Sequence, residues 1–249
     1  MIGDPLAGLR VLILRAARPG DPLAAGLRAA GAEVHCLPLL RIEPLAVDAA
    51  TLAGAAAAIW IFVSRHAVHH GAAALRAAGC GVAGHEVYAV GAATAAAARD
   101  AWGCVAHHPV EPTSEGLLRL PGLRAVAGRE VVIFRGAGGR DALRAALAAR
   151  GARVRYCEVY RRVPEPRWAE RVRAELARPG PLLAVAHSGA VVAALRALYR
   201  GAAPSVPVLV PGRRVAAIAR AAGLAPLIAA NALAGEMEQA VRRWYTPAR

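Results

Sequence analysis

Six short stretches of this chain combine small residues, hydroxyls and arginines where a strand would give way to a helix. They are RAARPG (15–20), SRHA (64–67), GAAT (91–94), RGAGGR (135–140), HSGA (187–190) and PGRR (211–214). The N-terminus of a helix leaves N–H groups unpaired and carries a partial positive charge, so such turns hold carboxylates or phosphates. The candidate binding groups are Arg15, Ser64, Arg65, Gly91, Thr94, Arg135, Gly136, Arg140, His187, Ser188, Gly212, Arg213 and Arg214. Turns of this kind lining one cleft would suit a flexible ligand with many anionic groups. Ser64 and Ser188 read as helix N-caps or as hydroxyls beside free N–H groups. His187, next to Ser188 at a strand-to-helix turn, is evenly balanced between a functional role and an ordinary surface histidine. Tyr160 lies in an extended segment, where it could point into a cleft or sit as a half-buried strand tyrosine.

Other chemistries find little support. RGAGGR lacks the lysine of a phosphate-binding P-loop, and Asp141 stands where a dinucleotide fingerprint needs its third glycine. No G-x-S-x-G elbow surrounds Ser64 or Ser188. His69-His70 and His107-His108 are adjacent pairs, whose side chains diverge on a helix or strand, so neither makes a natural chelate. Cys36, Cys80, Cys104 and Cys157 are 44, 24 and 53 residues apart, which fits reduced, buried cysteines better than a zinc site. Acidic residues are too scattered for a paired-carboxylate mechanism.

The net charge is +14, and all 31 basic residues are arginine. With the alanine load and a single asparagine, Asn231, this reflects composition bias, which discounts the charge. The arginines are spread singly along helical stretches rather than gathered in a stripe, and aromatic residues make up only 4%. That pattern favours an anionic small substrate over nucleic acid. The N-terminal MIGDPLAGLR lacks a basic region followed by a long apolar run, and no stretch of 18 apolar residues occurs. A cytoplasmic protein with no membrane span is expected.

The elements that must position these turns alternate regularly. Strands are expected at Leu9–Leu14, Glu33–Leu37, Ala58–Val63, Glu86–Val90, Val105–His108, Glu130–Phe134, Arg153–Cys157, Leu182–Ala186, Val206–Val210 and Ala225–Ile228. Helices are expected at Asp21–Ala30, His66–Ala78, Thr94–Trp102, Asp141–Arg150, Gly189–Tyr199, Arg213–Ala222 and Leu233–Trp244. Such alternation gives an α/β protein with parallel sheets covered on both faces, and ten strands suit two five-stranded sheets.

The chain also repeats itself. VLILRAARPGDPLAAGLRAAGAEVHCLPLLRIEP (11–44) and VVIFRGAGGRDALRAALAARGARVRYCEVYRRVP (131–164) match without gaps at 14 of 34 positions, 120 residues apart. Arg15/Arg135, Asp21/Asp141 and Pro44/Pro164 are among the matches, whereas Tyr160 is matched by Leu40. SRHAV (64–68) parallels HSGAV (187–191), which aligns Ser64 with His187, and VGAATAAAAR (90–99) parallels PGRRVAAIAR (211–220). Two extended, proline-ended segments follow the paired strands. If both cross between domains, residues 1–37 with 167–249 form a discontinuous first domain. Residues 46–157 form an inserted second one, and 38–45 and 158–166 are linker strands able to pair antiparallel as a hinge.

In order, Arg15, PLLRIEP, VSRHAV, VGAATA, RGAGGRDAL and RGARVRYCEVYRRVP resemble the uroporphyrinogen-III synthase family across essentially the whole chain. Each motif alone is weak, and their order and spacing carry the resemblance. It departs from the family pattern at Val63, where a threonine is usual, at AHSG, with His187 at about the serine position, and at PGRR. The resemblance implies two flavodoxin-like domains, each a doubly wound parallel five-stranded sheet, joined by a two-stranded antiparallel linker. It implies a hydro-lyase of tetrapyrrole biosynthesis. Such an enzyme cyclises hydroxymethylbilane to uroporphyrinogen III, with loss of water and inversion of ring D through a spiro intermediate. Tyr160 becomes the candidate proton donor. Ser64, Thr94, Ser188 and their neighbouring N–H groups would hold acetate and propionate arms. A monomer without cofactor is implied, receiving substrate by transient hand-over from hydroxymethylbilane synthase. The competing class is a catalytically silent two-domain protein that closes on an anionic ligand.

Overall fold

Short runs in which every residue is apolar, such as VLIL (11–14) and IWIF (59–62), are strands buried on both faces. The computed structural model describes residues 4–15, 20–47, 59–138, 141–199 and 206–245. The strands are β1 (Arg10–Ile13), β2 (Glu33–Cys36), β3 (Leu40–Pro44), β4 (Ile59–Phe62), β5 (Glu86–Ala89), β6 (Glu130–Gly136), β7 (Arg153–Pro164), β8 (Leu182–Val185), β9 (Pro207–Val210) and β10 (Ala225–Ile228). The helices are α1 (Pro22–Ala29), α2 (Arg65–Ala77), α3 (Ala92–Trp102), α4 (Ser114–Leu118), α5 (Ala142–Ala149), α6 (Pro166–Ala177), α7 (Gly189–Leu198), α8 (Arg213–Ala221) and α9 (Ala234–Trp244). The chain divides into two compact units, Met1–Arg41 with Val163–Arg249, and Ile42–Arg162.

The first unit holds a parallel sheet of order β10-β9-β8-β1-β2. Val11 and Ile13 enter one core with Leu183 and Val185, while Leu12 and Leu14 enter the opposite core with Leu182 and Ala184. The second sheet has the order β3-β7-β6-β4-β5. Ile59 and Ile61 face one core there, and Trp60 and Phe62 the other. β4, β5, β6 and β7 are parallel to their neighbours. β3 runs the other way: Leu45 N–H donates to Val159 C=O (3.0 Å) and Glu165 N–H to Leu39 C=O (2.9 Å).

Three differences from the sequence reading have physical causes. The strand expected at Val105–His108 shrinks to one parallel bridge, Tyr88 to His107. Val105 is 84% exposed, and Pro109 has no N–H to extend the ladder. β3 instead completes the second sheet as its edge strand. β7 does not stop at Cys157 but runs on to Pro164. Helix α6 was not expected, because PRWAERVRAELA carries five charged residues in twelve and follows a proline-ended extended tail. Pro166 at its first position favours a helix start rather than a continued tail, and Val172 and Glu175 are buried. Arg10, at the foot of β1, holds its far end. It donates to Glu175 C=O (2.9 Å) and Oε2 (3.0 Å), Arg178 C=O (2.7 Å) and Pro179 C=O (3.1 Å).

Candidate functional site

Parallel strands place all their following turns on one edge of the sheet, so each unit gathers its own set of candidate residues. In the second unit these are Ser64 and Arg65 after β4, Gly91 and Thr94 after β5, Arg135 and Gly136 at the end of β6, and Tyr160 on β7. In the first unit they are Arg15 after β1, His187 and Ser188 after β8, and Gly212, Arg213 and Arg214 after β9. Arg140 lies outside the described residues. Helices α2, α3, α7 and α8 have no acidic residue in their first turns, and α2 and α8 begin with Arg65 and with Arg213-Arg214. Acidic side chains are the favourable choice there, whereas a cation opposes the dipole by about 0.3–1 kcal/mol. These termini therefore carry no acidic side chain of their own in the first turn to offset their positive field. By contrast α4 and α9 carry Glu115 and Glu236 in their first turns.

Ser64 caps α2 by accepting from Ala67 N–H (3.0 Å), and Ser188 caps α7 by accepting from Val191 N–H (3.4 Å). The two caps are thus equivalent, and the alignment of Ser64 with His187 is corrected by one residue. His187 stands just before the cap, where the other turn has Val63. Gly91 is extended, but a side chain there would place Cβ 2.6 Å from Pro112 Cβ. Gly212 has φ +107°, a left-handed conformation that favours glycine. Thr94 is buried at 5% exposure inside the first turn of α3.

Tyr160 does not offer its ring to solvent, being 1% exposed in the core that holds Trp60, Phe62, Phe134 and Val159. Simple alternation would bury Cys157 and Val159 and turn Tyr160 outward. The register slips between Arg135 and Gly136, so that Gly136 pairs with Tyr160, and Val159 and Tyr160 both enter the core. Gly136 makes room for the ring: a Cβ there would sit 2.5 Å from Tyr160 Cε2 and 3.0 Å from its hydroxyl. His66 and His70 close the ring from α2, with centroids 5.7 and 5.8 Å away. Burial, helped by His69, holds His70 below its ordinary pKa. Arg162 Nη2 donates to the Tyr160 hydroxyl (3.0 Å), which lies 3.1 Å from Ser64 Oγ. A buried phenol hydrogen without an acceptor would cost about 1–3 kcal/mol. The geometry lets either oxygen donate, and since among the described residues Ser64 Oγ is the acceptor within reach of the phenol, that cost favours donation from the phenol.

Arg135, also buried, is committed elsewhere. Its guanidinium lies 4.2 Å over the Tyr156 ring and 3.7 Å from Glu158, and its Nε donates to Gly136 C=O (3.2 Å). Tyr156 in turn donates to Asp141 (2.7 Å), and burial followed by that bond raises its pKa. Arg15, its repeat partner, donates from Nε to His187 Nε2 (3.1 Å) and pairs through Nη2 with Asp21 (2.7 Å). Asp21 also accepts from Leu23 and Ala24 N–H at 3.1 and 3.3 Å, capping α1.

Three residues at Tyr160 were not connected with it from sequence. Arg162 lies two residues beyond Tyr160, and the period of a strand is enough to place it on the same face. His66 and His70 are four apart and share one side of a helix, a spacing hidden by attention to the adjacent pair. Among the described residues no three His, Cys, Asp or Glu side chains gather to hold a metal ion, and no helix is long and apolar enough to cross a membrane.

The chain matches the family described as uroporphyrinogen-III synthase HemD over residues 21–237 of its 249. It is 35% identical over 160 residues to the uroporphyrinogen-III synthase of Salmonella typhimurium strain LT2, an alignment covering 62% of this chain and 65% of that protein. It is 32% identical over 169 residues to the enzyme of that name from Escherichia coli strain K12, with the same coverage. The match thus spans just under two thirds of the length of these curated relatives. Among solved structures, a mutant uroporphyrinogen III synthase from the extremely thermophilic bacterium Thermus thermophilus aligns with TM-score 0.63 at 23% identity, covering 94% of this chain and 98% of that one. The Helicobacter pylori uroporphyrinogen-III synthetase aligns with TM-score 0.64 at 13% identity, covering 95% and 99%. These two likenesses concern the α/β fold, while the family match concerns the sequence from α1 into α9. The chain belongs to the uroporphyrinogen-III synthase family.

Proposed function

We propose that this chain is a uroporphyrinogen-III synthase, which closes hydroxymethylbilane to uroporphyrinogen III with loss of water and inversion of ring D. The observation that carries the reading is the family match over residues 21–237. The site chemistry agrees with it. The substrate is a flexible chain of pyrroles bearing eight carboxylates. Helix N-termini kept free of acidic residues, three of them capped by Ser64, Ser188 and Gly212, are suited to acetate and propionate arms. Arg65, Arg213 and Arg214 add exposed positive charge at the rims of these turns. Without an enzyme the same substrate closes without inversion to the type I isomer. Binding energy is therefore spent on geometry, holding the chain in the shape that forms the spiro intermediate. Departure of the hydroxyl group as water needs a proton, and the hydroxyls at Tyr160 and Ser64 are the source. No cofactor enters this reading.

In the same reading the two units are flavodoxin-like domains, the first sheet having the order 2-1-3-4-5 when its strands are numbered along the chain, and residues 38–45 and 158–166 are the linker strands. The protein acts in the cytoplasm as a monomer, taking substrate by hand-over from hydroxymethylbilane synthase. Incubation with freshly made hydroxymethylbilane, followed by separation of the isomers, tests the activity. Type III product above background is expected, and type I alone would sink it. Turnover is also expected to fall as salt is added. A rate unchanged up to about 0.5 M, where the screening length is a few ångströms, counts against the electrostatic part.

A further inference from the structure

Which hydroxyl can give a proton to a ligand depends on which one still has a hydrogen to give. The Tyr160 oxygen accepts from Arg162 Nη2 at 3.0 Å; the 3.1 Å contact with Ser64 Oγ lets either oxygen donate, and the buried phenol is the one whose hydrogen would otherwise lose its acceptor. Ser64 Oγ accepts a second bond from Ala67 N–H at 3.0 Å. A hydroxyl oxygen has two lone pairs, so Ser64 is full as an acceptor and its hydrogen is left uncommitted. Ser64 is part-exposed at the mouth of the β4–α2 turn, whereas Tyr160 is 1% exposed behind it.

We infer that Ser64, rather than Tyr160, meets the substrate and protonates the departing hydroxyl, with Tyr160 as a relay behind it and Arg162 as the positioning cation. This rests on the synthase reading above. The bond between the hydroxymethyl carbon and its oxygen breaks, the electron pair leaves with the oxygen, and the Ser64 proton completes a water molecule. The Tyr160 proton moves to Ser64 Oγ, and the phenolate faces the Arg162 guanidinium. When the ring closes, the proton lost from the attacked pyrrole carbon restores the phenol, so water leaves and no proton is gained or lost. The repeat supports a special role for this set: Ser188 caps α7 as Ser64 caps α2, but the partner of Tyr160 in the first copy is Leu40.

The test compares Ser64→Gly, Ser64→Thr, Tyr160→Phe and the Ser64→Gly/Tyr160→Phe double variant. Glycine is tolerated at an N-cap, so the first change removes the hydroxyl and spares the helix. Ser64→Gly and Tyr160→Phe should each lower kcat by about a hundredfold while KM stays near wild type. The double variant should be no slower than Ser64→Gly, since groups acting as a unit are not additive. Ser64→Thr, which keeps hydroxyl and cap, should recover the rate. In mixtures of light and heavy water, single-turnover rates should show more than one proton in flight for wild type and one for Tyr160→Phe, a readout that mere packing would not move. Wild-type kcat in Ser64→Gly, losses that multiply in the double variant, or a one-proton response in wild type would each overturn the relay. Type I product alone from wild type would instead overturn the synthase reading, which is a distinguishable failure.

Discussion

The two sheets share four strand positions in the same order, the fifth being β10 in the first and a lone bridge at His107 in the second, where β3 is added at the other edge; each sheet borrows from both copies of the repeat. β1 and β2 match β6 and β7 at an offset of 120 residues, and β4, β5 and the His107 bridge precede β8, β9 and β10 by a similar distance. The first sheet joins β2-β1 from one copy to β8-β9-β10 from the other, and the second joins β7-β6 to β4-β5 and the bridge. The backbone plan was kept while side-chain partners diverged. Asp21 caps α1 and pairs with Arg15, but Asp141 makes no cap bond to α5 and accepts from Tyr156 instead. Arg15 reaches His187, while Arg135 lies over Tyr156. Leu40 is packing, and Tyr160 is held by a serine, an arginine and a glycine-sized gap. In the proposed function, duplication supplies turns for binding in both units and the proton chemistry belongs to one.

The largest test of that asymmetry is to make the second copy like the first. Tyr160→Leu should lower turnover by about a hundredfold with secondary structure unchanged by circular dichroism, the general range for loss of a proton donor. Turnover near wild type would remove the distinction between the copies. Gly136→Ala copies Ala16 of the first repeat and forces a methyl against the Tyr160 ring. Overpacking of this kind costs about 1–3 kcal/mol, and it should move the phenol off Ser64 and lower activity with it. Full activity and stability in Gly136→Ala would show that the gap is not needed. Next in size is a pair of aspartate variants read by denaturant unfolding. Asp21→Ala loses a cap and leaves a half-buried guanidinium unpaired, for roughly 2 kcal/mol or more. Asp141→Ala loses one exposed hydrogen bond, for about 0.5 kcal/mol. Equal losses would mean the two aspartates do the same work.

Much of the scaffold could be read from the chain, because all-apolar runs of four residues between alanine-rich helical stretches have few other solutions. VLIL and IWIF are cases where each residue has a core to enter. The caps Ser64 and Ser188 were legible for the same local reason, as hydroxyls just before helical periodicity. Tyr160 was recognisable as unusual by its mismatch with Leu40, but its burial was not. A one-residue slip of register reverses which side a strand residue faces, and nothing in EVYRRVP signals the slip. Helix α6 was missed because tertiary contacts outweigh its sequence: Arg10, more than 150 residues away, gathers three of its closing carbonyls. Arg135 was read as a candidate binding group, and its contacts with Tyr156 and Glu158 could not be read from the chain because only the folded sheet brings those partners near.

The smallest expected effect concerns α2 and α7, which carry the equivalent caps. Counted from Ser64 and Ser188, His66, His69 and His70 of α2 correspond to Ala190, Ala193 and Ala194 of α7. His66 and His70 both lie against the Tyr160 ring, and for His70 burial, with the charge of His69 second, lowers the pKa from the ordinary 6.5. A histidine that resists its proton in the folded state binds fewer protons there than in the unfolded chain once the pH falls below 6.5. Stability then rises with pH across that window: His70 costs nothing above it and destabilises the fold as the pH drops through 6.5 toward the lower folded value. His70→Ala, which copies Ala194, should flatten the loss of stability between about pH 7.5 and 5.5, and unfolding midpoints at both pH values would measure it. The change should be small, because His70 is only partly buried and solvent screens its charge. An acid slope identical in wild type and variant would mean that the histidine face of α2 is as indifferent to protons as the alanine face of α7, and that the divergence of the copies stops at Ser64, Tyr160 and Arg162.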